Sequence, residues 1–205
     1  MALSLATVGA KITATFMNLI IGQVNAQAQT AVIPTSVAGT GVTLGAAGKV
    51  TFSASTAVSV NGCFTSTYDN YLIVVDISAT SANSIPQFRL RLAGTDASGA
   101  TDYYSNSLVG SGASTAAAAF STNLGYIATA SLRETSGELR LFEPALAAPT
   151  RWTVTSMQHA TTPVIQVGVF GGRHNLSTAY DGITIYPSTG NITGTFRIYG
   201  YNNNT

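Results

Sequence analysis

Two short segments, YLIVVDIS at residues 71–78 and FRLRL at residues 88–92, read as strands of a layered β protein. The first is a rich β run with almost continuous burial, dense in β-branched and aromatic residues. The second alternates strictly, which turns Phe88, Leu90 and Leu92 inward and Arg89 and Arg91 outward. ELRLF at 138–142 repeats the device, with Leu139 and Leu141 on the face opposite Glu138 and Arg140. Outward from these, residues 50–52, 58–64, 103–108, 126–132, 152–157, 164–170, 182–186 and 194–201 read as further strands, each bounded by Gly, Pro, Asn or Ser. In the last of them, Arg197, Tyr199 and Tyr201 share one face and Phe196 and Ile198 the other. A spacing of about 8–12 residues is that of a sandwich or barrel. No helix-length crossover separates the runs, so the sheets are expected to be antiparallel. The expected fold is mainly β: an antiparallel, jelly-roll-like β-sandwich over residues 49–205, preceded by one N-terminal oligomerisation or anchoring helix.

That helix is expected within residues 1–28. Thr13 is a candidate N-cap, and Ile12, Phe16, Leu19, Ile20 and Val24 recur at spacings of three and four. Met17 and Ile21 widen the stripe past half the circumference, more than one docking surface covers. A helix sunk into its own domain is one reading. A parallel bundle of identical helices is the other, and it is preferred because the chain offers no second helix to cover the apolar belt. Lys11, the run 12–24 and Ala26-Gln27-Ala28 imitate a secretory signal. Thr13, Thr15, Asn18 and Gln23 dilute the run and no charge precedes Lys11, so the segment is read as structure. Residues 29–48, with Pro34, Gly39, Gly41, Gly45 and Gly48, are an extended connector in which 41–44 pairs at a sheet edge. Residues 110–123, GSGASTAAAAFSTN, are low in complexity and read as a loop.

The composition narrows the function. The 205 residues are 45% hydrophobic and only 8% charged, with a net charge of +1, against about 25% charged in an average soluble domain. Polarity comes instead from 29 Thr and 20 Ser. A chain so apolar does not read as disordered, and the scattered basic residues exclude a phosphate-tracking nucleic-acid binder. No run reaches the ~20 apolar residues that cross a bilayer as a helix, so no membrane insertion is expected. The single cysteine, Cys63, excludes an intrachain disulfide and a multi-cysteine zinc site, and is expected to pack as a small apolar residue.

Motifs for chemistry are sparse. Asp69, Asp76, Asp96, Asp102 and Asp181 are the carboxylates available for an acid–base pair, and each reads as a strand-end or turn residue. DASGATD at 96–102 lacks the calcium-loop ligand set and reads as a hairpin turn on Ser98-Gly99. In Gly171-Gly172-Arg173-His174-Asn175 the glycines read as a turn with a solvated polar tip, the alternative being a ligand contact through His174. His159 reads as a strand residue with one hydrogen bond. No nucleophile elbow, P-loop or dinucleotide fingerprint is present. No catalytic residue, metal or cofactor is expected; the rival enzyme reading, two aspartates cleaving a surface polysaccharide, has no motif behind it. Aromatics remain. Tyr103, Tyr104 and Trp152 are the candidate saccharide platforms, with Trp152 equally readable as a core residue.

AKITATFMNLIIGQVNAQ at 10–27 resembles the N-terminal segments of tailed-bacteriophage tail-fibre and minor tail proteins, through the pattern Ile12-Thr13-Ala14, Phe16, Asn18. VSVNGCFTSTYDNYLIVVDISAT at 58–80, FRLRLAGTDASGATDYYSN at 88–106 and GNITGTFRIYGYNNN at 190–204 are similar to the C-terminal β-domains of such virion proteins. The resemblance implies a structural protein of the virion, assembled in the host cytoplasm without a signal peptide. It also implies a homotrimer that contacts tail-tip, baseplate or capsid proteins through its N-terminal helix and a host-surface glycan through its β-domain. Family members are longer; here the helix leads into the β-domain without a long shaft. The alternative role is a capsid decoration or head-fibre protein.

Overall fold

The computed structural model describes residues 29–112, 114–129, 133–161 and 164–202. The expected helix, with Ile12, Phe16, Met17, Leu19, Ile20 and Val24, lies outside them. In chain order the strands are β1 (Gln29–Ala31), β2 (Ser36–Ala38), β3 (Val42–Leu44), β4 (Val50–Ser55), β5 (Val58–Asn61), β6 (Tyr68–Thr80), β7 (Pro86–Leu92) and β8 (Thr95–Asp96). They continue as β9 (Tyr103–Ser111), β10 (Ser114–Thr122), β11 (Gly125–Tyr126), β12 (Thr135–Phe142), β13 (Pro149–Thr161), β14 (Val164–Ser177), β15 (Gly182–Pro187) and β16 (Ile192–Asn202).

They form two antiparallel sheets. The larger has ten strands in the order β10-β9-β14-β13-β12-β6-β16-β4-β3, with β1 added on β16; the smaller has six, β11-β7-β15-β5-β2, with β8 added on β7. The chain passes repeatedly between the two, so the core is assembled from residues far apart in sequence. Between the sheets lie Val58, Val60, Phe88, Leu90, Ile183 and Ile185 of the smaller and Tyr71, Ile73, Leu139, Leu141, Trp152 and Phe196 of the larger, all buried. Phe88 stands edge-on to Trp152 at 5.5 Å between ring centroids, and Tyr103 lies 5.7 Å from the same indole. Such aromatic contacts add about 0.5–1.5 kcal/mol each beyond area burial.

The alternations in ELRLF and in the last strand hold. Leu139 and Leu141 are buried while Glu138 and Arg140 pair in solvent; Phe196 and Ile198 are buried while Arg197, Tyr199 and Tyr201 are half-exposed. In YLIVVDIS the burial is less continuous than expected, since Val74, Asp76 and Ser78 face solvent. Leu92 is 46% exposed rather than core, because it closes a hairpin with Thr95. That hairpin turns on Ala93 and Gly94, both at positive φ (49° and 82°), the geometry a two-residue β-hairpin needs. Ser98-Gly99 therefore does not carry it; Gly99 instead begins a separate turn closed by Asp102 N–H on its carbonyl.

Arg91 points away from the core, as alternation requires, but it is buried. The β8 hairpin folds over it and its guanidinium donates to Asp96 Oδ1 (2.6 Å), Thr184 Oγ1 (2.6 Å), Ser59 Oγ (2.8 Å) and Asn61 Oδ1 (3.1 Å). One side chain thereby ties β7, β15, β5 and β8 together, and a buried charge is tolerated because its donors are used.

The expected pairing of 41–44 at a sheet edge holds as β3 on β4, while two other expectations about connections are corrected. Residues 29–48 are woven into both sheets: β1 and β3 pair with β16 and β4, and β2 pairs with β5. The predicted loop at 110–123 holds β10, paired with β9 over nine successive positions without a bulge. Of the predicted strand 126–132, the described residues 126–129 keep only Tyr126 in a strand, β11, after which Ile127 and Ala128 hang on the Pro86 carbonyl.

Candidate functional site

β9, β14 and β13 lie side by side, and their registers assemble the candidate site on the outer face of the large sheet. Arg151, Arg173 and Tyr104 stand opposite one another in one row; Thr153, Gly171 and Asn106 form the next. Tyr104 is 47% exposed. Tyr104, Asn106, Arg151, Gly171 and Arg173, together with Ala119 of β10, line a shallow open groove. The floor is low because Gly171 has no side chain. A Cβ there would meet nothing closer than 3.9 Å, so core packing does not require this glycine.

The groove's polar equipment is fixed from the sides. Arg173 Nε donates to Asn175 Oδ1 at 2.9 Å, two residues along the same face. Arg151 forms an ion pair with Glu143, and both are well exposed, so the pair contributes little stability. The arrangement offers an aromatic ring for the apolar face of a pyranose, flanked by guanidinium and amide groups that suit hydroxyls or carboxylates.

Of the predicted platforms, only Tyr104 faces solvent. Tyr103 and Trp152 are 0% and 1% exposed, so neither presents a ring to a ligand. Period-two alternation sends adjacent tyrosines to opposite faces. Tyr103 O–H donates to the Ala97 carbonyl (3.0 Å) and accepts from Leu90 N–H (2.9 Å). Burial pushes its phenol well above the ordinary range. Asn106 and Arg151 were not singled out from the sequence, and Gly171 was read as part of a turn. The available signal was alternation continued through YYSNSLVG and QVGVFGGR.

Gly171-Gly172-Arg173-His174-Asn175 is no turn; it lies within β14. Gly172 faces inward, where a Cβ would sit 2.5 Å from the Trp152 ring. Its glycine makes room for the indole. His174 is completely buried, edge-on to Tyr103 at 4.5 Å. Its Nδ1 accepts from Leu176 N–H (3.3 Å) and lies 3.1 Å from Tyr180 Oη; the Asp102 carboxylate is 3.9 Å from Nε2. Burial lowers the His174 pKa, with Asp102 opposing more weakly, so the ring is neutral at pH 7. It has no surface for a ligand and acts as a packed polar core group.

The other candidates are dispersed into local structure. Asp96 neutralises Arg91, Asp76 accepts from Ser136 Oγ (2.9 Å), and Asp181 Oδ2 accepts from Ala93 N–H (3.1 Å). Asp69 lies at the start of β6, as expected, whereas Asp76 lies in its interior rather than at an end or turn. His159 is half-buried in β13, 3.7 Å from the Glu134 carboxylate. Cys63 is buried, and desolvation pushes its thiol far up, so it packs as an apolar group. Among the described residues no three His, Cys, Asp or Glu side chains gather as a metal site, and no helix is long and apolar enough to cross a membrane. Comparison with protein-family models, with curated proteins and with solved structures finds no match for this chain.

Proposed function

We propose that this chain is a structural protein of a tailed-bacteriophage particle, a trimeric tail-fibre or minor tail protein that attaches to a host-surface glycan. In this reading a jelly-roll-like sandwich is carried on an anchoring helix around residues 12–24, which contacts its own copies and neighbouring virion proteins. The sequence resemblance at residues 10–27, 58–80, 88–106 and 190–204 supplies the class. The single observation that carries the attachment role is the row of Tyr104, Arg173 and Arg151, an exposed ring beside two guanidinium groups over the Gly171 floor. The short path from residue 24 to β1 favours, as a second reading, a capsid decoration or head-fibre role, for which a long shaft is unnecessary.

Two measurements on the full chain test this. Light scattering at micromolar concentration is expected to give at least a trimer, three times 21.1 kDa; a stable monomer overturns the particle reading. On an array of bacterial surface polysaccharides, Tyr104→Ala is expected to weaken binding by about tenfold, equivalent to about 1.4 kcal/mol, with the assembly mass unchanged. Binding equal to that of the unaltered chain removes the groove as the attachment site.

A further inference from the structure

The strands at the sheet edges differ sharply in length. β2 and β3 have three residues and β11 has two, and the appended strands β1 and β8 have three and two. Short edges are one way folded proteins prevent uncontrolled pairing. β10 is the exception, with nine residues, no charge and no proline. Its register against β9 runs unbroken, and β9 is its only partner among the described residues. The strand itself carries no lysine, no bulge and no inward charge.

The β10 sequence also fits itself. Ser-Thr-Ala-Ala-Ala-Ala-Phe-Ser-Thr, laid antiparallel on a second copy about Ala118, sets Ser114 against Thr122 and Thr115 against Ser121 at the ends. Ala117 then meets Ala119, and Ala116 meets Phe120. Hydroxyls meet hydroxyls, small apolar groups fill the middle, and no like charges are brought together. On the outer face, Ala117 continues a row through Leu108 of β9 and Val169 of β14, next to Val167. Leu108, Val167 and Val169 are 55%, 56% and 51% exposed. Joining two copies at β10 sets this row in line with Ala119 and Asn106 of the other copy.

We propose that β10 is a homotypic docking edge, pairing antiparallel with β10 of a second copy about a two-fold axis at Ala118. The pairing is isologous and closed, since each copy uses the one long edge among its described residues. It rests on the strand itself and is independent of the particle reading. Where copies also gather in threes, the seam joins two trimers.

Disulfide trapping in the full chain tests the register. Residue 118 would oppose its own copy at a Cα separation of about 4.5–5.5 Å, within the range a disulfide spans, whereas Ser114 would oppose Thr122. Under mild oxidation Ala118→Cys is expected to give a covalent dimer on a non-reducing gel. Ser114→Cys, and the unaltered chain with its buried Cys63, are expected to give none. Ala118→Lys, with an unchanged circular dichroism spectrum, is expected to halve the mass seen by light scattering. Absence of the 118 cross-link, or equal cross-linking at 114 and 118, overturns the seam. A mass unchanged by Ala118→Lys, or reduced threefold, also overturns it; a trimer that persists without the cross-link leaves the particle reading intact.

Discussion

The ladder formed by β9 and β14 has two faces built from alternate residues of the same strands, and they meet different fates. On the inner face Tyr103, Val109, Phe170 and His174 are no more than 7% exposed. On the outer face Tyr104, Leu108, Val167 and Val169 are 47–56% exposed, although Leu108, Val167 and Val169 are as apolar as their inner neighbours. The six-stranded sheet and its connections cover one side, and nothing among the described residues covers the other. A β pattern separates two faces; burial requires a second surface. An apolar strip left open beside a long unprotected edge has the character of a contact surface.

Substitutions separate the two faces by magnitude. Trp152→Ala, on the inner face of the adjoining β13, is expected to lose about 3–5 kcal/mol in urea denaturation; a loss below about 1 kcal/mol would break the contrast. The neighbouring glycines give a sharper pair. Gly172→Ala forces a methyl group into Trp152 and the Tyr104 carbonyl and is expected to cost about 1–3 kcal/mol. Gly171→Ala, one residue away on the open face, should stay within about 0.5 kcal/mol.

Acid probes the inner face through His174, whose burial favours the neutral ring. Above the ordinary imidazole value near pH 6.5 the fold has its full stability. Below it the unfolded chain takes up a proton that the fold resists, so stability falls with pH until the lowered folded value is passed. Denaturation midpoints at pH 7 and pH 5 should therefore differ less in His174→Gln than in the unaltered chain; an equal difference would mean that another group sets the acid limb. Smallest of all, replacing Leu108 and Val169 together by Thr should change the denaturation free energy of an isolated copy by under about 0.5 kcal/mol. A substantial loss confined to protein concentrations at which copies associate would instead locate a contact on this face.

Much of the fold was legible because alternation is a local property. FRLRL, ELRLF and TFRIYGY specify two-faced strands from the residues alone, and the absence of helical crossovers specified antiparallel pairing. β10 was missed because four successive alanines have no period and weak strand preference; its conformation comes from hydrogen bonds to β9. The paired glycines were read as a turn because glycine often permits positive φ, whereas Gly172 is needed for the space occupied by Trp152. Arg91 was correctly turned from the core, yet only the folded-over β8 hairpin determined that it would be buried.

At the candidate site, Tyr104 was found and Arg173 noted, while Tyr103 was wrongly placed with them and Trp152 took the core position that was its other reading. The sequence by itself determined which residues share a face, since side-chain direction alternates with every peptide unit. Only the tertiary structure decided which face is core, which ring is exposed and which edge is bare, because those depend on surfaces brought together from distant parts of the chain.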